Sequence, residues 1–284
     1  YNKHANVFLN HLSKKNNQSI NQVRIIGKEL PSKIDAEKVI RFPEAKINDL
    51  LYYGFVKAGK IDYKSQAMTI LMNYGGIRKS EVFHIYVSDI TLNPNHPDEA
   101  LVRVYHPEFG KSPDPIYKTR KEYLLAETQF KPRNTYRLSE RLHSGWKEPL
   151  LTNREGYFEV LFNPPSKAKE FLAAWVNYLK YQRIEPMPDN QHPFAFTNSL
   201  GQPETVKNFQ RLHKNAVERI GLNCRKEEGT TEHGHRHAYG YRCHKSGMTQ
   251  VEIQKAMHHK SSKSCFVYTE PTNEDIREKM RNAE

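Results

Sequence analysis

Apolar residues recur at helical spacing from Ile47 onward, and this pattern constrains the fold more than any other feature of the sequence. Core-facing helices are predicted around four groups of apolar residues: Leu50, Leu51, Phe55 and Val56; Ala67, Ile70, Leu71 and Tyr74; Phe171, Leu172, Trp175 and Leu179; and Val206, Phe209, Leu212, Ala216 and Ile220. Gly75-Gly76 is expected to end the second helix. Helical patterning continues with interruptions to the C-terminus.

Two segments instead alternate between apolar and polar residues, as strands do. They are residues 100–105, around Val102 and Val104, and residues 157–162, which precede Asn163-Pro164-Pro165. A long polar segment that contains prolines separates them. The sequence therefore predicts an α+β fold that is mainly α-helical and carries a small antiparallel β-sheet.

Residues 1–40 differ from the rest, because their apolar positions are scattered around a polar run, Lys14 to Ser19, and a Pro-containing stretch. We expect one helix followed by a linker. The chain begins with Tyr1 and lacks the charged and apolar segments of a secretion signal. The N-terminus is therefore expected to be a cut inside a longer protein.

The balance of charges points to a polyanionic partner, since 44 Lys and Arg residues face 32 Asp and Glu residues, for a net charge of +12. Cys224, Cys243 and Cys265 are odd in number and far apart, which predicts free thiols and a reducing, cytoplasmic location. The longest uncharged stretch, Ala67 to Ile77, is far shorter than the roughly 20 apolar residues of a membrane span. No membrane span is expected.

Histidines cluster in the C-terminal third, which raises the possibility of a zinc site. The spacing argues against it, because His233, His235 and His237 alternate, whereas ligand pairs on a helix lie three or four residues apart. No acidic or Cys partner stands at ligand spacing. A zinc protein stays a minor alternative.

The same region fits a site that cleaves a phosphodiester with a tyrosine hydroxyl. Such a site needs groups that stabilise the charge on the non-bridging oxygens, a base for the phenol and an acid for the departing 5′ oxygen. Arg suits the first task because its planar group donates two parallel hydrogen bonds and stays charged. Lys and His can serve the proton transfers.

The order of these residues resembles a known signature. His233-x-x-Arg236-His237, then His259, then Tyr268 nine residues later, resembles the H-x-x-R … H/W … Y signature of tyrosine recombinases, the phage integrase family. Upstream, residues 76–81 (Gly-Ile-Arg-Lys-Ser-Glu) resemble the first box of that family, G-L-R-x-S-E, which also follows an amphipathic helix. The resemblance spans residues 42–269. It implies a catalytic domain over residues 41–284, with residues 1–40 as the tail of a core-binding domain and the interdomain linker.

The resemblance also implies roles for individual residues. Arg78 and Arg236 would clamp the scissile phosphate, and Tyr268 would form a 3′-phosphotyrosine. His233 and His259 would contact the phosphate or assist proton transfer. Glu81 would be a supporting residue that orients Arg78 or a neighbour.

Two departures from the family pattern indicate a divergent branch. His235 stands where the family usually has Leu, and Met257-His258 stands where it usually has Leu-Gly. Neither position is expected to touch phosphate, and a partial replacement of His259 by His258 stays open.

The catalytic lysine of the family lies on a β-hairpin between the two boxes. Lys147 is the preferred candidate, because a polar turn and the strand around Phe158 follow it, and Lys111 is the alternative. Residues 108–141 then form an insertion, which is either a solvated loop or an extra DNA contact.

The function implied is that of a site-specific DNA recombinase or integrase of a mobile genetic element, which needs neither metal nor nucleotide cofactor. Its partners would be double-stranded DNA and other protomers in a DNA-bound tetramer. A final helix after Pro271, with the apolar stripe Ile276, Met280 and Ala283, would cover its own domain or dock on a neighbour. A type IB topoisomerase, a telomere resolvase and a non-catalytic DNA-binding module are the alternatives.

Overall fold

A computed structural model describes residues 40–269, 276–277 and 280–281 of the chain. These residues belong to one compact unit, Ala36–Glu284. The helix and linker expected within residues 1–40 lie outside the described residues, apart from Ile40.

Helical residues far outnumber strand residues in the described part of the chain, which confirms the predicted fold class. The α-helices are α1 (Ile47–Asp49), α2 (Tyr63–Asn73), α3 (Lys79–Val82), α4 (Arg120–Glu127), α5 (Lys167–Tyr181), α6 (Val206–Arg219), α7 (Glu232–Lys245), α8 (Gln250–Ala256) and α9 (Phe266–Thr269). A π-helical turn, Leu50–Gly54, continues α1. Short 3-10 turns occupy Glu44–Lys46, Val87–Asp89, Arg133–Thr135, Pro188–Asn190, Lys226–Glu228 and Ser262–Cys265.

Helix α2 is the central element, since its residues from Lys64 to Asn73 are all buried. It packs against α5 on one side and α7 on the other. Burial extends to its polar side chains because each of several has a partner: Gln66 donates to the Leu51 carbonyl at 3.1 Å, and Lys64 Nζ to the Thr197 carbonyl at 3.0 Å. The helix ends where predicted, just before Gly75-Gly76.

The sheet is three-stranded and antiparallel, in the order β3–β4–β5. Its strands are Ile90–Leu92, Ala100–Tyr105 and Tyr157–Glu159, with register pairs Ile90↔Val102 and Val104↔Phe158. The predicted strand at 157–162 is thus shorter than expected. A two-stranded hairpin, β1 (Val56–Lys57) and β2 (Lys60–Ile61), and strand β3 were not predicted.

The insertion at residues 108–141 is not simply a solvated loop. It contains α4, and two of its arginines are almost completely buried. Arg120 binds Asp89 through both terminal nitrogens, and Arg133 donates to the carbonyls of Leu142 and Glu204 at 3.0 and 2.8 Å. Buried cations require such partners, so these arginines fasten the insertion to the domain.

In the described part of the chain, no helix combines the length and the hydropathy needed to cross a bilayer.

Candidate active site

Arg78 lies at the N-terminus of α3, after a close turn. Gly76 has φ +66°, and a Cβ there would lie 2.3 Å from the Tyr239 ring, so glycine suits both the backbone and the space. The Arg78 guanidinium donates to one carboxylate oxygen of Glu81 at 2.6 Å, and its backbone nitrogen donates to the other at 2.6 Å. Glu81 is fully buried, whereas the Arg78 side chain keeps 19% of its surface exposed. The supporting contact implied by the family resemblance is therefore present.

Arg236 lies in the first half of α7 and is buried. Its Nη2 donates to the Met257 carbonyl at 2.6 Å, and its Nη1 donates to the Gly76 carbonyl. Burial lowers the pKa of Arg236 to about 10, which leaves the group charged at neutral pH. One guanidinium thus joins the turn before Arg78 to the segment before His259.

Tyr268 lies on α9 and is 5% exposed. Its ring rests against α7 at Gly240, where a Cβ would lie 2.7 Å from the ring carbon that bears the hydroxyl. The hydroxyl lies 2.8 Å from Nδ1 of His237. Burial raises the pKa of Tyr268 to about 12, and the charges of Arg236 and Arg78 act in the opposite direction. The candidate nucleophile therefore interacts electrostatically with both candidate clamp residues.

His233 and His237 share one face of α7. Their rings meet edge to face with centroids 4.4 Å apart. His235 points into the core instead, where it bonds to Nε2 of His213 at 2.8 Å and to Asn73 at 3.0 Å. The expected divergence of the three histidines is thus correct for His235 but wrong for the other pair, which lie four residues apart.

His237 was assigned no role from the sequence, although it is the residue bonded to the Tyr268 hydroxyl. The signal that could have found it is its i, i+4 spacing from His233, which predicts a shared helix face. The family signature drew attention to His233 and Arg236 and left the adjacent histidine aside.

His259 is nearly buried, and its Nδ1 lies 3.1 Å from the Cys265 sulfur. Burial lowers the pKa of His259 to about 3, and the charges of Arg236 and Arg78 act in the same direction. Among the described residues, no metal-ligating group of three His, Cys, Asp or Glu side chains occurs.

His258 has different surroundings from His259. Its backbone is left-handed, with φ +54°, and its ring stacks on Phe158 with centroids 3.8 Å apart. Neither of its ring nitrogens has a hydrogen-bond partner in the described structure. Partial replacement of His259 by His258 stays a prediction.

The two candidate lysines differ in their neighbours. Lys147 is exposed in the segment before β5, and its charge helps to lower the pKa of His233, after burial and Arg236. Lys111 forms an exposed ion pair with Glu155 at 2.5 Å, and its other electrostatic neighbours are Tyr105 and Tyr157 of the sheet. Lys147 therefore acts electrostatically on the histidine face of α7, whereas Lys111 acts on Glu155 and two tyrosines of the sheet.

Taken together, the site holds two guanidinium groups, a lysine and several histidines around one phenol. The groups that the structure brings together are Arg78, Lys147, His233, Arg236, His237, His259 and Tyr268. Such an arrangement can bind a phosphodiester and stabilise the extra negative charge of a five-coordinate phosphorus.

One protein family model and several solved structures are similar to this chain. The sequence model of the Phage integrase family matches residues 41–275. No curated protein matches the chain.

Solved structures of three DNA recombination proteins share the fold. XerA recombinase superposes with a TM-score of 0.53 at 14% identity, covering 86% of this chain and 65% of XerA. XerH bound to a palindromic difH substrate, in a post-cleavage complex, gives 0.54 at 13%, covering 88% and 55%. The Tn1549 transposon integrase in complex with circular intermediate DNA gives 0.52 at 15%, covering 86% and 67%. This chain thus spans less than two thirds of the XerA and XerH chains.

Proposed function

This chain belongs to the phage integrase family, and from that premise we propose that it is a site-specific tyrosine recombinase that cuts and rejoins DNA through a 3′-phosphotyrosine. The observation that carries the proposal is the placement of the Tyr268 hydroxyl, which is bonded to a histidine and lies within the electrostatic reach of Arg236 and Arg78. A phenol buried beside two guanidinium groups is suited to attack a bound phosphate, because the same groups stabilise the charge that develops.

Each charged residue has a task in this reaction. Arg78 and Arg236 would bind the non-bridging oxygens of the scissile phosphate, with Glu81 holding Arg78 in place. Lys147 is exposed, and its ammonium group has three hydrogens to donate. It would protonate the 5′ oxygen as that oxygen leaves. His233 and His259 would donate hydrogen bonds to the phosphate.

The energy of the broken bond would be kept in the phosphotyrosine, so that rejoining needs no nucleotide. Arginine, lysine and histidine supply the charge and the protons, and we therefore propose that cleavage is independent of metal. Cleavage that continues in EDTA supports this, and cleavage that stops on chelation and returns with a divalent cation contradicts it.

Double-stranded DNA is the proposed partner. The net charge of +12 supplies attraction to phosphates, and among the similar structures XerH is bound to a difH substrate and the Tn1549 integrase to circular intermediate DNA. DNA affinity is therefore expected to fall steeply as salt rises, because Lys and Arg residues bound to phosphate release counterions.

Assembly into a tetramer on DNA is a further part of the proposal. The predicted final helix lies largely outside the described residues. Two residues of its apolar stripe, Ile276 and Met280, are described, and both are exposed. Deletion of residues 272–284 tests its role: single-site cleavage should persist while synapsis of two sites is lost. Unchanged synapsis would show that the tail is not an assembly element.

The decisive experiment uses a pool of duplexes with randomised sequence and a nick placed just 3′ of each possible cleavage point. Cleavage releases a short fragment and traps the protein on DNA, so that adducts survive denaturation and can be sequenced. Wild-type adducts that are absent with Tyr268→Phe support a recombinase or another tyrosine enzyme. DNA binding without adducts would favour a non-catalytic DNA-binding module instead.

A further inference from the structure

We propose that His237 is the proton acceptor for the Tyr268 hydroxyl during strand cleavage, and the residue that returns the proton when the strand is rejoined. The inference rests on the proposed function and adds a residue to its machinery. It begins from the hydrogen bond between the two side chains, which are 31 residues apart and meet at 2.8 Å.

The geometry satisfies the first requirement for a general base, which is to lie within hydrogen-bond reach of the proton it removes. His237 is fixed there from both sides. Its ring packs edge to face with His233, one turn earlier on α7, and its other neighbour is the Tyr268 ring, with centroids 5.8 Å apart. Gly240 lets that tyrosine lie directly on the helix.

Other basic groups in the site are less well placed for this task. The Nδ1 of His259 is engaged with Cys265 at 3.1 Å, and the ring of His233 contacts that of His237. A charged lysine or arginine has no acceptor to offer. Within the described structure, His237 is the side chain hydrogen-bonded to the phenol oxygen.

The pKa values of the two groups set the position of the proton in the resting protein. Burial lowers the pKa of His237 to about 4, helped by His233 and Arg236, so the imidazole is neutral near pH 7. Burial raises the pKa of Tyr268 to about 12, so the phenol keeps its proton at rest. With both groups neutral, the proposal requires the tautomer in which Nδ1 accepts the phenol hydrogen and the other ring nitrogen carries the imidazole proton.

This difference in pKa keeps the proton on the phenol oxygen of Tyr268 in the resting protein. Transfer becomes favourable only as the phenol oxygen bonds to phosphorus and loses its basicity. The charged group that acts on His237 is Arg236 on its own helix, and His233 and His259 interact with it as neutral neighbours, since their own pKa values are lowered. The negative phosphate raises the proton affinity of His237 when DNA is bound.

The step is balanced as follows. The phenol oxygen of Tyr268 bonds to phosphorus while the bond from phosphorus to the 5′ oxygen breaks. The phenol proton passes to Nδ1 of His237, and the 5′ oxygen takes a proton from Lys147. Rejoining runs the same transfers backward, with the protonated His237 acting as the acid for the departing tyrosine.

The test compares His237→Asn with wild type on the DNA that wild type captures from the nicked pool. Asparagine places an amide oxygen near the position of Nδ1, so it keeps a hydrogen-bond acceptor but takes up no proton. His244→Asn, on the same helix, is the matched control. Fold is checked by thermal unfolding and by DNA affinity, and His237→Gln is the second variant should His237→Asn unfold.

We expect His237→Asn to slow adduct formation by at least about 10²-fold, the range in which general-base catalysis contributes, while His244→Asn matches wild type. Replacing Tyr268 by 3,5-difluorotyrosine, whose phenol is more acidic, should recover at least about tenfold of that loss. A 5′-bridging phosphorothiolate, whose leaving group needs no acid, should recover none of it.

Two outcomes overturn the inference while leaving the proposed function intact. The first is cleavage by His237→Asn at the wild-type rate, which removes the proton transfer; if His237→Ala is then still slow, His237 only positions Tyr268. The second is full rescue of His237→Asn by the phosphorothiolate, which moves the role to the leaving group. A wild-type protein that forms no adduct on any DNA contradicts the proposed function itself.

Discussion

Arg78 donates two hydrogen bonds of 2.6 Å to the same carboxylate, one from its backbone nitrogen and one from its guanidinium, and that carboxylate belongs to the fully buried Glu81. Glu81 therefore both caps the N-terminus of helix α3 and orients the guanidinium. Removal of this partner leaves a cation that is four-fifths buried without its ion pair.

The first prediction follows from that contact. Glu81→Gln keeps the shape but loses the charge, so we expect a loss of about 1–3 kcal/mol in the free energy of unfolding and slower cleavage. Chemical denaturation and single-turnover cleavage measure the two effects. Lys46, which pairs with Asp49 at the surface, provides the control, because Lys46→Gln should change neither by a measurable amount. Unchanged cleavage by Glu81→Gln would show that Arg78 needs no carboxylate.

The second prediction concerns the nucleophile. Tyr268→Phe should abolish the covalent adduct, because no other hydroxyl replaces the phenol, and should leave DNA affinity within about threefold of wild type. Denaturing gels and a binding titration check both parts. An adduct that persists in Tyr268→Phe removes the assignment.

The third prediction concerns the charge on the phosphate. Arg236→Lys should slow cleavage by about 10²–10³-fold, since removing one preorganised donor to a developing oxyanion has that effect. Lysine retains the charge but cannot span the carbonyls of Gly76 and Met257 as the planar group does. Near-normal cleavage at matched stability would contradict the clamp.

The fourth prediction separates the two lysines. Lys147→Ala should slow cleavage of ordinary DNA by about 10²-fold or more and should be rescued by a 5′-bridging phosphorothiolate, because a thiolate leaves without a proton. Lys111→Ala, which breaks only an exposed pair with Glu155, should cleave at the wild-type rate. The reverse pattern would make Lys111 the acid.

The fifth prediction concerns acid. Burial lowers the pKa of several described histidines: His84, His192, His213, His235, His237, His258 and His259. Below about pH 6.5 the unfolded chain binds more protons than the folded one, so the free energy of unfolding should fall as pH falls from 6.5 towards 4.

His235→Leu isolates one contribution to that acid dependence. It should lower the free energy of unfolding at pH 7, because His213 and Asn73 lose a hydrogen-bond partner. It should also reduce the slope of that free energy against pH between 6.5 and 4. Urea unfolding across pH measures both, with the exposed His96→Leu as control. A slope that does not change would show that His235 is protonated in the folded state.

Local patterns in the sequence predicted much of this molecule. Periodicity placed α2, α5 and α6, and alternation placed β4, because each pattern repeats within a few residues. Strand β3 was missed, since three residues are too few to show alternation. Arg78 and Arg236 were chosen as candidates through the resemblance of the two boxes to the family signature, which is also local in sequence.

Long-range partners were beyond such patterns. Nothing near Arg120 or Arg133 in sequence indicates that either is buried, because their partners, Asp89 and the Glu204 carbonyl, lie tens of residues away. The role of Cys265 beside His259 depends on the turn between α8 and α9. The hydrogen bond between Tyr268 and His237 depends on how α9 packs against α7, which the sequence pattern does not reveal.

Arg236 ties together stretches of chain made at different times, since its two carbonyl partners lie 160 residues before it and 21 residues after it. During synthesis the turn at Gly76 is therefore made well before Arg236, whose side chain fastens it. Under the proposed function, a polypeptide that ends before residue 268 can contain the phosphate-binding arginines but lacks the nucleophile. Under that proposal, partial translation products would be unable to break a DNA strand, and cleavage would require Tyr268 to be present and folded against α7.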